Sequence, residues 1–324
     1  MTTVSTQRAE RSDAIIPVKP PAVKKGDTVG IFAPASPGNE ERVRRGISEL
    51  QSLGYRVEQR PSGIQQGYFS ASAESRFSDL QSFLADGKVA ALFALRGGYG
   101  SNYLLEKISQ ERPPAAKCIV GYSDLTSLQV FLWQKFHWVS LYGPMVAAGL
   151  DGGPDAPKGY DKKSLGAALS GSSSTWALDL HGEALVPGAA EGRVLGGCMT
   201  LVETSLGTPW ELDTTDSILL LEDRGMKPWQ VDRALMHLLQ ARKLQTVRGI
   251  VLGEFPECEP PVPGSPTVKE VCERLLGSLG VPIVYGAAVG HTLRPMRTVP
   301  LGIRARLTAE RSGELQFLES AVLP

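Results

Sequence analysis

The chain has 324 residues, a length typical of two domains of about 150 residues each. Its 34 Lys and Arg residues balance 34 Asp and Glu residues, so the net charge gives no sign of the basic surface that duplex nucleic acid requires. With 42% hydrophobic and 21% charged residues, the composition is that of a folded protein and not of a disordered one.

The N-terminal residues 1–13 are polar and charged, without the apolar segment of a secretory signal, so we expect a disordered tail. No run of about 18 apolar residues occurs in the sequence, which argues against a transmembrane helix. The four cysteines form no C-x-x-C pair, and Cys118 and Cys198 lie in apolar segments. We therefore expect reduced thiols and a cytoplasmic protein.

Short, continuous apolar runs recur along the chain, as expected for strands that are buried on both faces of a parallel sheet. These runs are Val29–Ala33, Val89–Leu95, Cys118–Val120, Ile218–Leu221, Gly249–Leu252 and Ile283–Val284. Segments with helical apolar spacing alternate with the first three, at Glu40–Leu53, Ser75–Leu84 and Leu125–Phe136. This alternation predicts an open, doubly wound α/β domain in the first half of the chain.

The composition changes after the first half. Leu150–Tyr160 and Ser170–Thr175 are rich in glycine, proline and serine, which favours loops. We place an N-terminal domain over residues 14–170, a linker over 171–184 and a C-terminal domain over 185–324. The C-terminal part combines strand-like runs with one clear helix, Pro228–Ala241.

Ser123 lies where the run Cys118–Val120 turns through Gly121 into the helix that begins near Asp124. A sharp turn from strand to helix exposes a side-chain oxygen and directs helix N–H groups at an oxyanion beside it. Serine is also a common helix N-cap, and the residues alone leave both interpretations open. The Gly-x-Ser-x-Gly elbow of the α/β-hydrolases is disfavoured, because Leu125 occupies its last position.

A glycine-rich turn, Gly97–Gly100, follows Arg96 at the end of another predicted strand. Glycines beside an arginine at the carboxyl edge of a sheet fit a site for an anion or a carboxylate. A plain glycine turn explains the same residues, and the spacing is not that of the G-x-G-x-x-G dinucleotide fingerprint.

Two carboxylates and one histidine in the second half also follow predicted strands. Glu222 and Asp223 end a buried run, where a site and a solvated strand end paired with Arg224 are equally supported. His291 lies in a glycine-flanked loop after the last run, which makes it the best candidate for a catalytic base. The other histidines lack such a context: His137, His181 and His237.

The ordered set of these motifs resembles the LD-carboxypeptidase family of serine peptidases, which includes muramoyltetrapeptide carboxypeptidase. The resemblance begins near residue 17 and runs to the C-terminus. It is carried by Val29–Ser36, Arg96–Gly100, Gly121–Asp124, Gly196–Gly197, Leu221–Asp223, Gly290–His291 and Val299–Gly302. The resemblance implies a flavodoxin-like N-terminal domain with a parallel sheet and a smaller C-terminal α/β domain of the swivelling type.

The family's Ser-Glu-His triad falls on Ser123 as nucleophile, His291 as general base and Glu222 as the residue that orients the histidine. A serine hydroxyl needs a neutral imidazole to accept its proton, and the imidazolium needs an anion at its other nitrogen. The resemblance assigns the oxyanion hole to the amide of Asp124 and a glycine amide, for which we choose Gly98 over its neighbour.

The resemblance further implies hydrolysis of the bond between an L-centre and a terminal D-amino acid, releasing D-alanine from murein tetrapeptides in cell-wall recycling. The terminal carboxylate would need a cation, and sequence alone does not rank Arg96, Arg224 and Arg294. We assign substrate contacts to Arg96, Gly97 and Tyr99. The family implies no metal and no cofactor, a homodimer, and a murein peptide as the partner. The net charge and the lack of a long apolar run predict no nucleic-acid or membrane partner.

The sequence departs from the family pattern at one position, and two other functions remain possible. The family often has asparagine after its paired glycines, where this chain has Cys198. A microcin-immunity-type serine peptidase would cleave aminoacyl-nucleotide amides and need an aromatic platform for the base. Four tryptophans are available for it: Trp133, Trp138, Trp210 and Trp229. A non-catalytic, two-lobed ligand-binding protein is the third possibility.

Overall fold

Two β-sheets flanked by helices form the protein in a computed structural model that describes residues 15–60, 63–111, 115–171 and 175–324. The predicted tail, residues 1–13, lies outside the described residues. In chain order the helices and strands are β1 (Thr28–Phe32), α1 (Glu40–Ser52), β2 (Arg56–Gln59), α2 (Ala73–Ala85), β3 (Val89–Ala94), α3 (Leu105–Gln110), β4 (Cys118–Gly121), α4 (Thr126–Phe136), β5 (Ser140–Tyr142), α5 (Lys162–Ser170), β6 (Trp176–Asp179), β7 (Glu183–Val186), β8 (Gly188–Cys198), α6 (Met199–Glu203), β9 (Ser217–Glu222), α7 (Pro228–Gln240), β10 (Gly249–Gly253), α8 (Val268–Leu276), β11 (Ile283–Ala287), β12 (Val299–Leu301), β13 (Arg304–Ala309) and β14 (Gly313–Phe317).

The first sheet has the order β2-β1-β3-β4-β5-β12. Strands β1 to β5 are parallel, and their 2-1-3-4-5 order is that of the flavodoxin-like, doubly wound fold. Strand β12 comes from far along the chain and pairs antiparallel with β5. The predicted parallel-sheet fold of the N-terminal half is confirmed.

The second sheet has the order β6-β14-β13-β8-β9-β10-β11-β7. Its centre, β8 to β11, is parallel, and the strands on both flanks are antiparallel. All six apolar runs of the sequence form strands, three in each sheet, apart from the final residues Ala33 and Leu95 of the first two runs. The strands are buried on both faces, as their apolar composition predicts. The second half is therefore also α/β.

The segment predicted as a linker, residues 171–184, contains strand residues in the part that the structure describes. Residues 176–179 form β6 at one edge of the second sheet, and β7 begins at residue 183 at the opposite edge. Trp176 and Leu178 face inward, and the Trp176 ring lies 4.5 Å from that of Phe317. The alternation of inward and outward residues in β6 covers only four residues, which is too short a pattern to predict a strand directly after a glycine- and serine-rich segment. The exact domain boundaries stay a prediction.

The two faces of the second sheet belong to different hydrophobic cores. Alternate residues of β9 show this, since Ile218 and Leu220 join the core shared with the first sheet. Leu219 and Leu221 join a second core under α6, α7 and α8, to which α4 of the first half contributes Trp133. The two halves are therefore packed so that the carboxyl ends of β4 and β9 approach the same cleft. No helix in the described part of the chain is both long and apolar enough to cross a bilayer.

Candidate active site

Ser123 occupies a strained turn at the end of β4. Its φ of 65° lies in the left-handed region, which residues with a Cβ rarely adopt. A short 3₁₀ turn, Ser123–Leu125, leads into α4, and Leu125 holds the N-cap position of that helix. Ser123 is thus not the cap of α4, and strain of this kind is found at functional positions.

Asp124 fastens the glycine-rich turn to the Ser123 turn. Its carboxylate is 1% exposed and accepts hydrogen bonds from the N–H groups of Gly100 (3.3 Å) and Ser101 (2.8 Å). The Ser101 hydroxyl donates to the Asp124 carbonyl oxygen at 2.5 Å. Burial raises the pKa of Asp124, although the hydrogen-bond donors oppose the shift. The carboxylate holds two loops together, and its backbone amide lies beside the serine.

Gly97 brings backbone close to Ser123, and Gly98 brings backbone close to Ser36. A Cβ built on Gly97 would lie 2.9 Å from Ser123 Oγ and 3.4 Å from the Asp124 nitrogen. Gly98 has a φ of 108°, and a Cβ there would lie 2.6 Å from the Cβ of Ser36. Side chains at either position would collide with these neighbours, so the turn requires glycine.

Glu222 is fully buried at the end of β9. Its Oε2 accepts a hydrogen bond from the His291 N–H at 2.8 Å and lies 2.9 Å from His291 Nδ1. Its Oε1 accepts a hydrogen bond from the Tyr142 hydroxyl. Gly253 and Gly290 make room for this carboxylate, since a Cβ on Gly290 would lie 2.6 Å from Glu222 Oε1. The interpretation of Glu222 as a solvated strand end is wrong.

His291 is oriented by this contact and remains 16% exposed. Its ring packs edge-on against Tyr122, with the ring centroids 5.0 Å apart. Burial lowers the pKa of His291, but the charge of Glu222 and its hydrogen bond outweigh that effect, and the net shift is upward. With Nδ1 on Glu222, Nε2 is the nitrogen that can accept a proton from a group in the cleft.

The second carboxylate, Asp223, has a structural place beside Cys198. Its Oδ2 accepts hydrogen bonds from the Thr200 N–H (2.9 Å) and hydroxyl (2.7 Å), and its Oδ1 accepts one from the Arg224 N–H (2.8 Å). The Cys198 sulfur lies 3.5 Å from Asp223 Oδ2. Burial, with the nearby carboxylates, raises the pKa of the Cys198 thiol well above its usual value, so this thiol is not an activated nucleophile.

A cleft of about 320 Å³ between the two halves brings the predicted site residues together. Ser123 and His291 both line it, as do Arg96, Gly97 and Gly98. Glu222 lies buried behind His291. Tyr99 is 41% exposed and packs among other exposed aromatic rings instead of lining the cleft, so its predicted substrate contact stays a prediction.

Comparison with known proteins identifies the family. The family model of the LD-carboxypeptidase N-terminal domain matches residues 29–143, and that of the C-terminal domain matches residues 191–307. The chain belongs to the LD-carboxypeptidase family. It is therefore related to carboxypeptidases over most of its length.

Relatives cover nearly the whole chain. The probable murein peptide carboxypeptidase of Bacillus subtilis (strain 168) is 33% identical over 306 residues, which cover 92% of this chain and 94% of the relative. The crystal structure of muramoyltetrapeptide carboxypeptidase from Oxalobacter formigenes has a TM-score of 0.79 and 26% identity, covering 90% of this chain and 99% of that one. The microcin C7 self-immunity protein MccF of Escherichia coli is 26% identical over 313 residues, covering 86% and 90%.

Two of the cations that line the cleft of this LD-carboxypeptidase family member are paired with carboxylates. Arg42 donates to both oxygens of Asp151 at 2.5 and 3.2 Å, and Arg224 donates to both oxygens of Glu257 at 2.9 and 2.6 Å. Their forks are engaged within the protein. Arg42 was missed by sequence reasoning because it lies on a polar helix face with no motif around it.

The other two lining cations are less committed. Arg96 is exposed and donates to the Pro37 carbonyl oxygen at 3.2 Å. Neither Arg96 nor Lys158 forms an ion pair with a carboxylate of the described residues. Arg294, the third sequence candidate, does not line the cleft and pairs with Glu254. Of the three arginines considered from the sequence, Arg96 is the one that lines the cleft without an ion pair to a carboxylate of the described residues.

The four tryptophans considered as a platform for a nucleobase lie elsewhere. Trp133 and Trp138 are buried, and the Trp210 ring packs 5.6 Å from that of Phe131. Trp229 is exposed on α7, away from the cleft. Apart from His291, the aromatic side chain that lines the cleft among the described residues is Tyr122, and its ring is in edge contact with the ring of His291.

Proposed function

We propose that this protein is a serine carboxypeptidase that cleaves the bond between an L-centre and the terminal D-amino acid of murein tetrapeptides. The observation that carries the proposal is the buried Glu222 carboxylate on His291 Nδ1, in the same cleft as a strained serine turn. The murein peptide relative supports the substrate class. A place in cell-wall recycling, in the cytoplasm and as a homodimer, completes the proposal.

The proposed reaction uses each group according to its position. His291 Nε2 takes the Ser123 proton as Oγ attacks the carbonyl carbon, and Glu222 stabilises the imidazolium that forms. The oxyanion is stabilised by the backbone amides of Asp124 and Gly98, a contribution of about 3 kcal/mol per donor in such sites. His291 then protonates the departing amine, which leaves as D-alanine. In the second half of the reaction His291 takes a proton from a water molecule as the water attacks the acyl group, and returns a proton to Ser123 Oγ as the acid product leaves.

Arg96 is the proposed ligand of the terminal carboxylate. Its guanidinium is exposed at the cleft beside the two glycines and, among the described residues, donates a hydrogen bond to the Pro37 carbonyl oxygen. An arginine can bind a carboxylate through two parallel N–H groups, which also orients the substrate. Binding at this position fits an enzyme that acts at a free C-terminus.

A microcin-immunity-type activity is the rival, since the MccF relative shares the family. That activity needs a ring on which a nucleobase stacks, and the Tyr122 ring is already in contact with His291. A non-catalytic binding protein would have no need for a buried carboxylate on a histidine beside a strained serine. The first observation favours the murein peptidase over the microcin-immunity type, and the second favours an enzyme over a binding protein.

A two-substrate assay tests the proposal. The purified protein is incubated with a murein tetrapeptide and, separately, with an aminoacyl sulfamoyl adenylate, and the products are identified by mass spectrometry. We expect D-alanine release from the tetrapeptide by the wild type and by Ser52→Ala, an exposed serine at the end of α1, but not by Ser123→Ala. Cleavage of the adenylate alone would refute the murein substrate, and equal release by Ser123→Ala would refute the nucleophile.

A further inference from the structure

We infer that Tyr142 is a positioning residue that couples the Ser123 turn to the Glu222–His291 pair across the two halves of the protein. Sequence reasoning gave this tyrosine no role, because a tyrosine at the end of an apolar strand resembles ordinary core. The inference rests on the proposed serine mechanism.

Strand pairing places the Tyr142 ring next to the nucleophile. Tyr142 ends β5 and lies opposite Gly121 in the register with β4, two residues before Ser123. Its hydroxyl oxygen accepts a hydrogen bond from the Ser123 N–H at 3.4 Å. The same hydroxyl donates to Glu222 Oε1. One phenol therefore contacts the backbone of the nucleophile and the carboxylate of the triad.

The hydrogen bond from Tyr142 stabilises the charge of the Glu222 carboxylate, which has no access to water. Glu222 is 0% exposed, and His291 occupies its Oε2. Among the described residues, Tyr142 is the hydrogen-bond donor to Oε1. A buried carboxylate that loses a donor is strongly destabilised, so the phenol helps to hold this charge where it acts on His291. Burial, together with the Glu222 charge, raises the pKa of Tyr142 well above its usual value, which keeps the donor protonated.

The junction around the phenol is closely packed from both halves. Thr126, at the start of α4, lies close to the phenol, and its hydroxyl oxygen accepts a hydrogen bond from the Cys198 N–H at 3.0 Å. A Cβ on Gly197 of β8 would lie 2.7 Å from Thr126 Oγ1 and 2.9 Å from Tyr142 Cε2. Glycine is needed there for the second sheet to approach the phenol, so Tyr142 sets the distance between the triad members that the two halves supply.

Replacement of Tyr142 by phenylalanine tests the inference. Loss of a hydrogen bond to a charged group corresponds to about a 10- to 100-fold fall in kcat, with KM changed less than about threefold. Without the donor, the Glu222 charge acts more strongly on His291, so the acid limb of the rate profile moves to higher pH. The other charged groups that act on His291 are Asp223, Arg224 and Glu257, and all three are retained in the variant.

A second readout separates this inference from the choice of substrate. The rate at which a fluorophosphonate labels Ser123 reports the triad without any murein peptide. If the wild type is labelled but releases no D-alanine, the proposed function fails, and Y142F is still judged by its labelling rate and the pH dependence of that rate. If Y142F does not fold, Thr126→Val takes its place, because it removes the hydroxyl that accepts a hydrogen bond from the Cys198 N–H of the second sheet beside the phenol. This variant should slow the labelling of Ser123, and an unchanged rate would overturn the inference.

Tyr160→Phe is the matched control. Tyr160 is equally buried, and its hydroxyl donates to a glutamate outside the triad, Glu49, at 2.5 Å. Both variants should lower the melting temperature, but Y142F alone should lower kcat and move the acid limb. Equal effects of the two variants, or a Y142F protein with unchanged kcat and an unmoved acid limb, would overturn the inference.

Discussion

Replacement of Glu222 by glutamine removes the charge that defines the proposed base. The carboxylate oxygen lies 2.9 Å from His291 Nδ1 and is shielded from water. At an effective dielectric constant of about 20, two unit charges at that separation attract by about 6 kcal/mol. Part of this attraction offsets the cost of burying the imidazolium. We therefore expect kcat to fall by about a thousandfold to ten-thousandfold, or about 4 to 5.5 kcal/mol in the barrier.

The pH dependence of the rate of this variant gives a second, independent test of the role of Glu222. In the wild type the net shift of the His291 pKa is upward, so the acid limb of kcat/KM should lie above about 6.5. Without the Glu222 charge, burial remains and lowers the pKa of His291, so the acid limb should move to lower pH. D-alanine release or fluorophosphonate labelling measured from pH 4 to 9 gives both quantities. A variant within about tenfold of the wild type, with the same acid limb, would refute the reasoning.

Two further substitutions test substrate binding and the geometry around Glu222. Arg96→Ala should raise KM for the tetrapeptide about 10- to 100-fold with little change in kcat, because one charge-assisted contact with the substrate is lost. Arg274→Ala, which removes an exposed arginine outside the cleft, is the control and should leave KM unchanged. An unchanged KM in Arg96→Ala would contradict the prediction. Gly290→Ala should destabilise the protein by about 1–3 kcal/mol in denaturant unfolding and slow labelling of Ser123, because φ is 58° and the new Cβ meets Glu222. Gly280→Ala, at a φ of 72° with open space around it, should cost stability alone; equal labelling rates in the two variants would argue against a critical position for Glu222.

The residues of the candidate triad could be proposed from sequence because each follows a run of apolar residues. Carboxyl ends of parallel strands converge on one edge of a sheet, and polar residues at such ends are costly unless they serve a site. Ser123 follows β4, Glu222 is the last residue of β9, and His291 follows β11. Local pattern and the family resemblance therefore agreed on these positions.

Contacts between the two halves could not be predicted in the same way. Tyr142 and Thr126 look like core residues in sequence, and their contacts with Glu222 and the Cys198 backbone exist only when the two sheets are packed. The pairing of β12 with β5 is likewise set by the return of the chain, not by any local signal. Ranking of the arginines required the ion pairs of Arg224 and Arg294, which are also products of tertiary structure.

Mapping of a covalent serine probe tests the central claim most directly. The purified protein is treated with a fluorophosphonate, digested, and sequenced by mass spectrometry to locate the adduct. The Glu222–His291 pair beside the strained serine predicts a single adduct on Ser123, formed in the wild type and lost in His291→Ala. An unlabelled wild type, or an adduct on a residue other than Ser123, would contradict the account.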